Sequence, residues 1–499
     1  MIPETANPEK EGYRFAGWQT KPDVTKEDLV LGVSPYEVPL GASSLYGGAG
    51  VSITDYELMG NMLLLYPRWV EATEIHNAEE LKAMKEDLCG WYVLAEDIDL
   101  AGENWQPVGK YFSNYETVNA AFWTYSFRGT FDGAGHAIKN LTINVDGCKA
   151  DLTGFENAKV WRNDGESLGG EVGLFGSTAK ATIQNVTFEN AVITVTSDND
   201  ATPYVAVVNG FDLASTMKNI TVNNASVTVT ANDAAIAKRS STWAAVSAFT
   251  AGGWSTTIEN CAVNNASVTL NGTLTKAHGA EYYVGAMLGE GYAFMDGNSA
   301  TGTVIADIKD ESAAETDSDL IVNVGGMGGT NTTQLNGSYD TKIDVKVSKP
   351  SGVAVVSIGG LTGSQRYQYA EKNSIKAEIT TDCKLDPDNS KLFVGSVIGS
   401  TNVPYCIVQM IFADPGSVDY SGCRNNETAV THNGEAVTLT KGEILTVGGE
   451  PIAYIANGDI TDPETGVTYP SNIDAVIGEY GSAVPVAFLQ KCAIVLINE

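Results

Sequence analysis

A short glycine-framed element, VGLFG at 172–176, returns along the chain as VGAMLG from 284, VGGMGG from 324, IGGLTG from 358 and VGSVIG from 394. A second element is an x-I-x-N strand, seen as TIQNVTF, MKNITV and TIENCAV. It carries Asn185, Asn219 and Asn260 and continues at Asn298, Asn336 and Asn373, in steps of 34, 41, 38, 38 and 37 residues. A third follows closely: NAVITV, NASVTV and NASVTL, then more loosely KIDVKV and SIKAEI. A fixed period of this size restricts the fold more than any other feature of the chain. Three short strands per repeat, with Gly and Asn at the turns, are what a right-handed parallel β-helix requires. Its coils stack at about 4.8 Å and its inward apolar side chains form ladders. Gly and Asn suit the left-handed turn positions that other residues avoid.

The spacing predicts one solenoid from about residue 90 to 415, with roughly nine coils at the β stacking distance. Leu174, Ile183, Val186, Ile220, Val222, Ile258 and Val263 are its expected inward residues. Unequal steps leave the extra residues as loops after the third strand of each repeat.

At 499 residues the chain exceeds one ordinary core, which an elongated array accommodates. Its formal net charge of -31 repels phosphate backbones and anionic lipid, so no nucleic acid is expected as a partner. No apolar run approaches the roughly 18 residues a membrane helix needs, so an integral membrane protein is not expected. The N-terminus has no basic-then-apolar signal character, which leaves a cytosolic protein or a piece of a secreted one. Seven cysteines are scattered with no CxxC pair. That excludes a zinc ribbon and a thioredoxin-type site and predicts small buried thiols.

The first 72 residues are different. GYRFAGW, residues 12–18, and LLLYPRW, residues 63–69, read as two strands with aromatic faces around a Gly/Ser-rich loop. With Pro8, Lys10, Gly12, Tyr13, Phe15, Gly17 and Trp18, then Leu65, Tyr66 and Trp69, this stretch resembles the internalin-type B repeat, also called the Listeria–Bacteroides repeat. That module is a small β-grasp-like domain of bacterial surface proteins, and its usual opening strand is missing here. Farther on, Asp97-Ile98-Asp99-Leu100 and the series Phe127, Gly129, Phe131, Asp132, Gly133, Gly135, His136, Ile138, Asn140 and Leu141 resemble the lead-in to GLUG-type repeats. The VGLFG elements are similar to the GLUG core itself. The resemblance implies a large extracellular protein, on the bacterial cell surface or secreted. Adhesins and non-catalytic regions of IgA-protease-type proteins carry such arrays, which do not define an activity.

The expected plan is all-β: a partial β-grasp-like module over 1–72, a right-handed parallel β-helix over 73–424, and a small β-rich module or cap over 425–499. A short helix over 77–88 should close the start of the solenoid, begun by Asn77 with Glu80 three positions on.

Catalytic patterns are sparse. Asp132 and His136 in DGAGH superficially resemble a β-helix polygalacturonase strand. Glycoside hydrolysis, however, needs two suitably spaced carboxylates, and the two residues fit turn hydrogen bonding. Lys238, Arg239 and Arg366 are isolated from the acidic loops, which leaves no lyase pattern. Four scattered histidines, without HExxH, give no zinc site. No cofactor is expected. Calcium is the single candidate, at Asp198, Asn199 and Asp200 or at Asp382, Asp386 and Asp388, without an EF-hand spacing. The expected binding residues are aromatic: Tyr111, Tyr115, Trp123 and Tyr125 in an insertion at 111–125, and Tyr282 and Tyr283 near a repeat corner, with Tyr292, Tyr367 and Tyr369 close to other corners. The function expected is non-catalytic and adhesin-like, presenting loops to a host protein or glycan. The alternative is a polysaccharide-active lyase or hydrolase.

Overall fold

The computed structural model describes residues 10, 13–19, 58–59, 62–63, 66–110, 126–147, 170–197, 203–232, 241–275, 279–312, 320–331, 333–365, 370–371, 373–386, 389–395 and 398–401, with short strands between 424 and 476. Over these residues the chain is all-β and winds as a parallel β-helix of about 6 turns. In one coil, Gly279–Gly285 lies in the first sheet, Leu288–Asp296 in the second and Ser299–Asp310 in the third. Each strand pairs in parallel with its counterparts one coil away on either side. The other two sheets supply the long crossover that parallel pairing demands.

The first sheet has 7 strands, from Glu171–Val172 to Lys391–Gly395. Complete coils among the described residues are therefore fewer than the repeat spacing suggests. The lead-in strands Trp91–Leu94 and Thr130–Asp132 belong to the second sheet, and Ile98–Asp99 and Ala137–Lys139 to the third. Among the described residues the first sheet has no strand from these coils.

Ladders hold the stack together. Ile143, Ile193, Val227, Val268, Val304, Ile343 and Ile379 occupy successive rungs of the third sheet. On the second, Phe131, Ile183, Met217, Ile258 and Met295 do the same. All are buried in one continuous core, as are the seven inward residues expected from the sequence. β-Branched side chains suit such rungs because their restricted rotamers pack well on a pleated surface.

Asparagine makes the corner between the second and third sheets. Asn185, Asn219 and Asn260 have φ of 55°, 53° and 54°, and Asn219 Nδ2 donates to Asn185 Oδ1 at 3.0 Å. The next rungs of this stack are Gly297 and Asn336, at φ 67° and 51°. The expected continuation through Asn298 and Asn373 is thus one residue out of register. Both are buried and reach back one coil instead. Asn298 Oδ1 accepts from the Cys261 N–H at 2.8 Å, and Asn373 Oδ1 from the Gly337 N–H at 2.9 Å.

The ends follow the same logic. Ala78–Lys82 is helical and continues as a 3₁₀ turn over Ala83–Glu86. Asn77 Oδ1 accepts from the Glu80 N–H at 3.0 Å while Glu80 Oε2 accepts from the His76 N–H at 2.7 Å, a reciprocal cap. Leu81 and Met84 are buried. Tyr13–Gln19 pairs antiparallel with Tyr66–Ile75, setting Phe15 opposite Trp69. The far end of Tyr66–Ile75 then pairs in parallel with Trp91–Leu94, so one strand runs across residue 72. In the third sheet Ser374–Leu385 pairs with Ala429–His432, which turns back antiparallel to Glu435–Val437. No described helix is long and apolar enough to cross a membrane. Cys89, Cys261 and Cys383 are buried, and burial pushes the Cys261 and Cys383 thiols up to about 12.

Candidate functional site

Adjacent residues on a strand point to opposite faces, and at the corner of the first and second sheets both faces are filled. Tyr282 and Val284 join the interior core. Tyr283 instead joins a second, smaller cluster with Tyr204, Phe211, Ala179, Ala206, Ala245 and Ala251, against which Leu213, Trp243 and Trp254 pack. Its rings meet at angles favoured by their quadrupoles. Tyr204 and Phe211 lie edge-on with centroids 5.3 Å apart, Phe211 and Trp254 likewise at 5.8 Å, and Trp243 tilts over Tyr283 at 5.1 Å.

Two carboxylates enter this cluster. Glu290, 5% exposed, accepts at Oε2 from Trp243 Nε1 at 2.9 Å and from Tyr204 Oη at 3.1 Å. Glu281 accepts from Tyr283 Oη. Gly252 makes the first arrangement possible, since it occupies the rung between Phe211 and Glu290. A Cβ there would lie 2.7 Å from the Tyr204 ring and 2.8 Å from that of Phe211. Gly252→Val should displace the Tyr204 ring and cost about 1–3 kcal/mol, the usual scale of overpacking. Urea denaturation and near-ultraviolet circular dichroism check this, and an unchanged midpoint and aromatic spectrum would contradict the slot.

Leu213, Trp254 and Tyr292 stand on consecutive rungs of the second sheet and are partly exposed. They form an apolar strip along the solenoid axis of about 10 Å, two rung spacings. Trp243 and Glu281, also partly exposed, flank it on neighbouring rungs of the first sheet. Trp243, Tyr204 and Tyr283 direct their polar hydrogens at the two glutamates, and of these three rings Trp243 is the one that reaches the surface. An apolar strip beside the partly exposed Glu281 suits a ligand with hydrophobic C–H faces and hydroxyl donors. It disfavours an anionic one.

The residues expected to bind fare differently. Tyr111, Tyr115, Trp123 and Tyr125 lie outside the described residues. Tyr282 and Tyr283 are 0% exposed, so neither presents a ring at the surface as expected. Tyr282 is turned into the coil, where its Oη donates to the Ala231 carbonyl at 3.0 Å, and Tyr283 is covered by Trp243.

Asp132 caps a turn, accepting from the Ala134 N–H at 2.8 Å and Gln184 Nε2 at 2.7 Å. His136 Nδ1 lies 3.3 Å from Asp97 Oδ1. The Lys139 ammonium, with the Ala137 N–H, holds Asp97 down to about 2. Of the suggested calcium ligands, Asp198, Asn199, Asp200 and Asp388 lie outside the described residues, as do Lys238, Arg239 and Arg366. Asp386 Oδ2 accepts from the Gly352 N–H at 2.8 Å. No group of three His, Cys, Asp or Glu that could hold a metal occurs among the described residues.

Tyr204, Phe211, Trp243, Trp254, Glu281 and Glu290 were not singled out by sequence. A signal was present: YVAVVNGF, WAAVSAFTAGGW and YVGAMLGEGY each place aromatic residues on both sides of a corner in successive coils.

No family model matches the chain, and no curated protein matches it. A solved structure described as "a putative immunoglobulin A1 protease from Bacteroides ovatus" is similar over 80% of this chain and 91% of its own, with 15% identity and a TM-score of 0.38.

Proposed function

We propose that the chain is a non-catalytic, adhesin-like region of a bacterial extracellular protein, related to GLUG-type and internalin-type B repeat proteins, and that it binds neutral glycans at the outer corner of the first and second sheets. The observation that carries this reading is the partly exposed strip Leu213–Trp254–Tyr292 with Trp243 and Glu281 on the neighbouring sheet. Pyranose rings stack their C–H faces on aromatic rings, while carboxylates accept from sugar hydroxyls. The acidic chain disfavours uronate and sulfated polymers.

A glycan array followed by calorimetry tests this. Neutral oligosaccharides should be retained and anionic ones not. Trp254→Ala should weaken binding by roughly tenfold or more, the scale of a lost aromatic anchor. Retention of anionic glycans alone, or of host proteins with no glycan, would count against it.

A second reading, hydrolysis of the bound glycan, draws on the two carboxylates in one corner, since glycosidases use such pairs. Glu290 is enclosed by Tyr204 and Trp243, a setting that suits holding the aromatic cluster together. Release of reducing ends that stops in Glu281→Gln would replace binding by catalysis.

A further inference from the structure

Two charged side chains stand inside the apolar wall of the third sheet. Near the strand ends Leu274 pairs with Asp310, and Lys349 pairs with Leu385, so a row of leucines is interrupted by an acid and a base on neighbouring coils. The side chains of Lys349 and Asp310 are 3% and 2% exposed, and the lysine Nζ contacts Asp310 Oδ2. The other carboxylate oxygen, Oδ1, accepts from the Ser312 N–H at 3.0 Å and from Ser312 Oγ. A turn roofs the lysine: a Cβ on Gly352 would lie 3.3 Å from Lys349 Cε, and Asp386 fixes that turn through the Gly352 N–H.

We propose that Lys349 and Asp310 form an intramolecular amide bond that staples these two coils. A proton passes from the ammonium to Oδ2, leaving an amine and a carboxylic acid. Nζ then attacks Cγ. The negative charge that builds on Oδ1 is met by the two Ser312 donors, placed as an oxyanion hole places its own. A second proton moves from Nζ to Oδ2, the Cγ–Oδ2 bond breaks and one water leaves. Ammonium and carboxylate thus become an amide and a water, with no oxidant, reductant or metal required. The enclosure by Leu274, Leu385 and the Gly352 turn keeps away the water that would reverse the step.

The physical gain lies in where the bond sits. An isolated ion pair between apolar rungs is a weak source of stability, because desolvation opposes its attraction. An amide carries no charge to desolvate. In a solenoid each coil is held only by its neighbours, so a covalent link between coils blocks unwinding at that point.

Intact-mass spectrometry of the full chain tests the proposal. The parent protein should weigh one water less than its sequence, and digestion should yield a branched peptide joining residues 310 and 349. Lys349→Arg keeps the charge but lacks the nucleophilic amine, so it should show the full sequence mass. Ser312→Ala should leave a measurable fraction unlinked. A parent protein at full sequence mass overturns the bond. So does a water loss confined to one linear peptide, as in a cyclised aspartate, or one that persists in Lys349→Arg. Because the parent protein alone is decisive, a variant that fails to fold does not blunt the test.

Discussion

Phe188→Ala is expected to destabilise the β-helix by about 3–5 kcal/mol, the range for removing a buried phenylalanine. Phe188 is 0% exposed and stands in the third sheet on the rung between Ile138 and Val222. The parallel ladders fix backbone on both sides, so the walls have little freedom to collapse into the space left behind. Thr187, its outward-facing neighbour on the same strand, is the control. Thr187→Ala should stay within about 0.5 kcal/mol, as surface substitutions do. Urea denaturation measures the loss, and hydrogen exchange should place it at Thr187–Glu189 and the adjoining Thr221–Asn223 and Ala137–Lys139. A loss below about 1 kcal/mol would show a wall able to close over the missing ring, against the rigid ladder argued from packing.

Those ladders were legible in the sequence because the interior of a solenoid admits few side-chain types. Leu174, Ile183 and Val222 recur at repeat spacing only if each faces the same core. The slip at Asn298 has a physical cause. The corner accepts either an asparagine in the left-handed conformation, as at Asn260, or Gly297 followed by an inward asparagine. Counting along the chain does not separate the two. The aromatic corner was hidden for another reason. Strand alternation sends Tyr282 and Tyr283 to opposite sides, but it does not say that the outer side of the first sheet packs against residues of the second. That follows from the angle between sheets, which no local pattern encodes. Asp310 and Lys349 were obscured likewise, since a charged residue near a strand end reads as exposed until the rungs are aligned.

The second large effect concerns Asp212, whose neighbours Phe211 and Leu213 belong to the aromatic corner while its own carboxyl is fully buried. Thr178 Oγ1 donates to it at 2.5 Å, Thr256 Oγ1 at 2.6 Å and the Ser215 N–H at 3.1 Å. Burial pushes this carboxyl above its ordinary value despite those donors. The folded state therefore keeps a proton that the unfolded chain releases near pH 4. The stability tied to that proton is fully present below the unfolded value and is lost as pH rises through the folded one. Asp212→Asn removes the titration and keeps a side chain that can accept hydrogen bonds. It should be more stable than the parent at neutral pH, with the difference shrinking as pH falls toward about 4. Asp212→Ala should have the opposite sign at pH 7, because it opens a cavity and orphans the buried Ser215 N–H, at about 1–3 kcal/mol for the unsatisfied donor alone. Parallel urea titrations of parent, Asn and Ala proteins between pH 4 and 8 decide the matter. An Asn variant that is less stable than the parent by the same amount at every pH would mean that the carboxyl is ionised in the fold, held by the donors of Thr178, Thr256 and Ser215, and that hydrogen bonding outweighs desolvation at this corner.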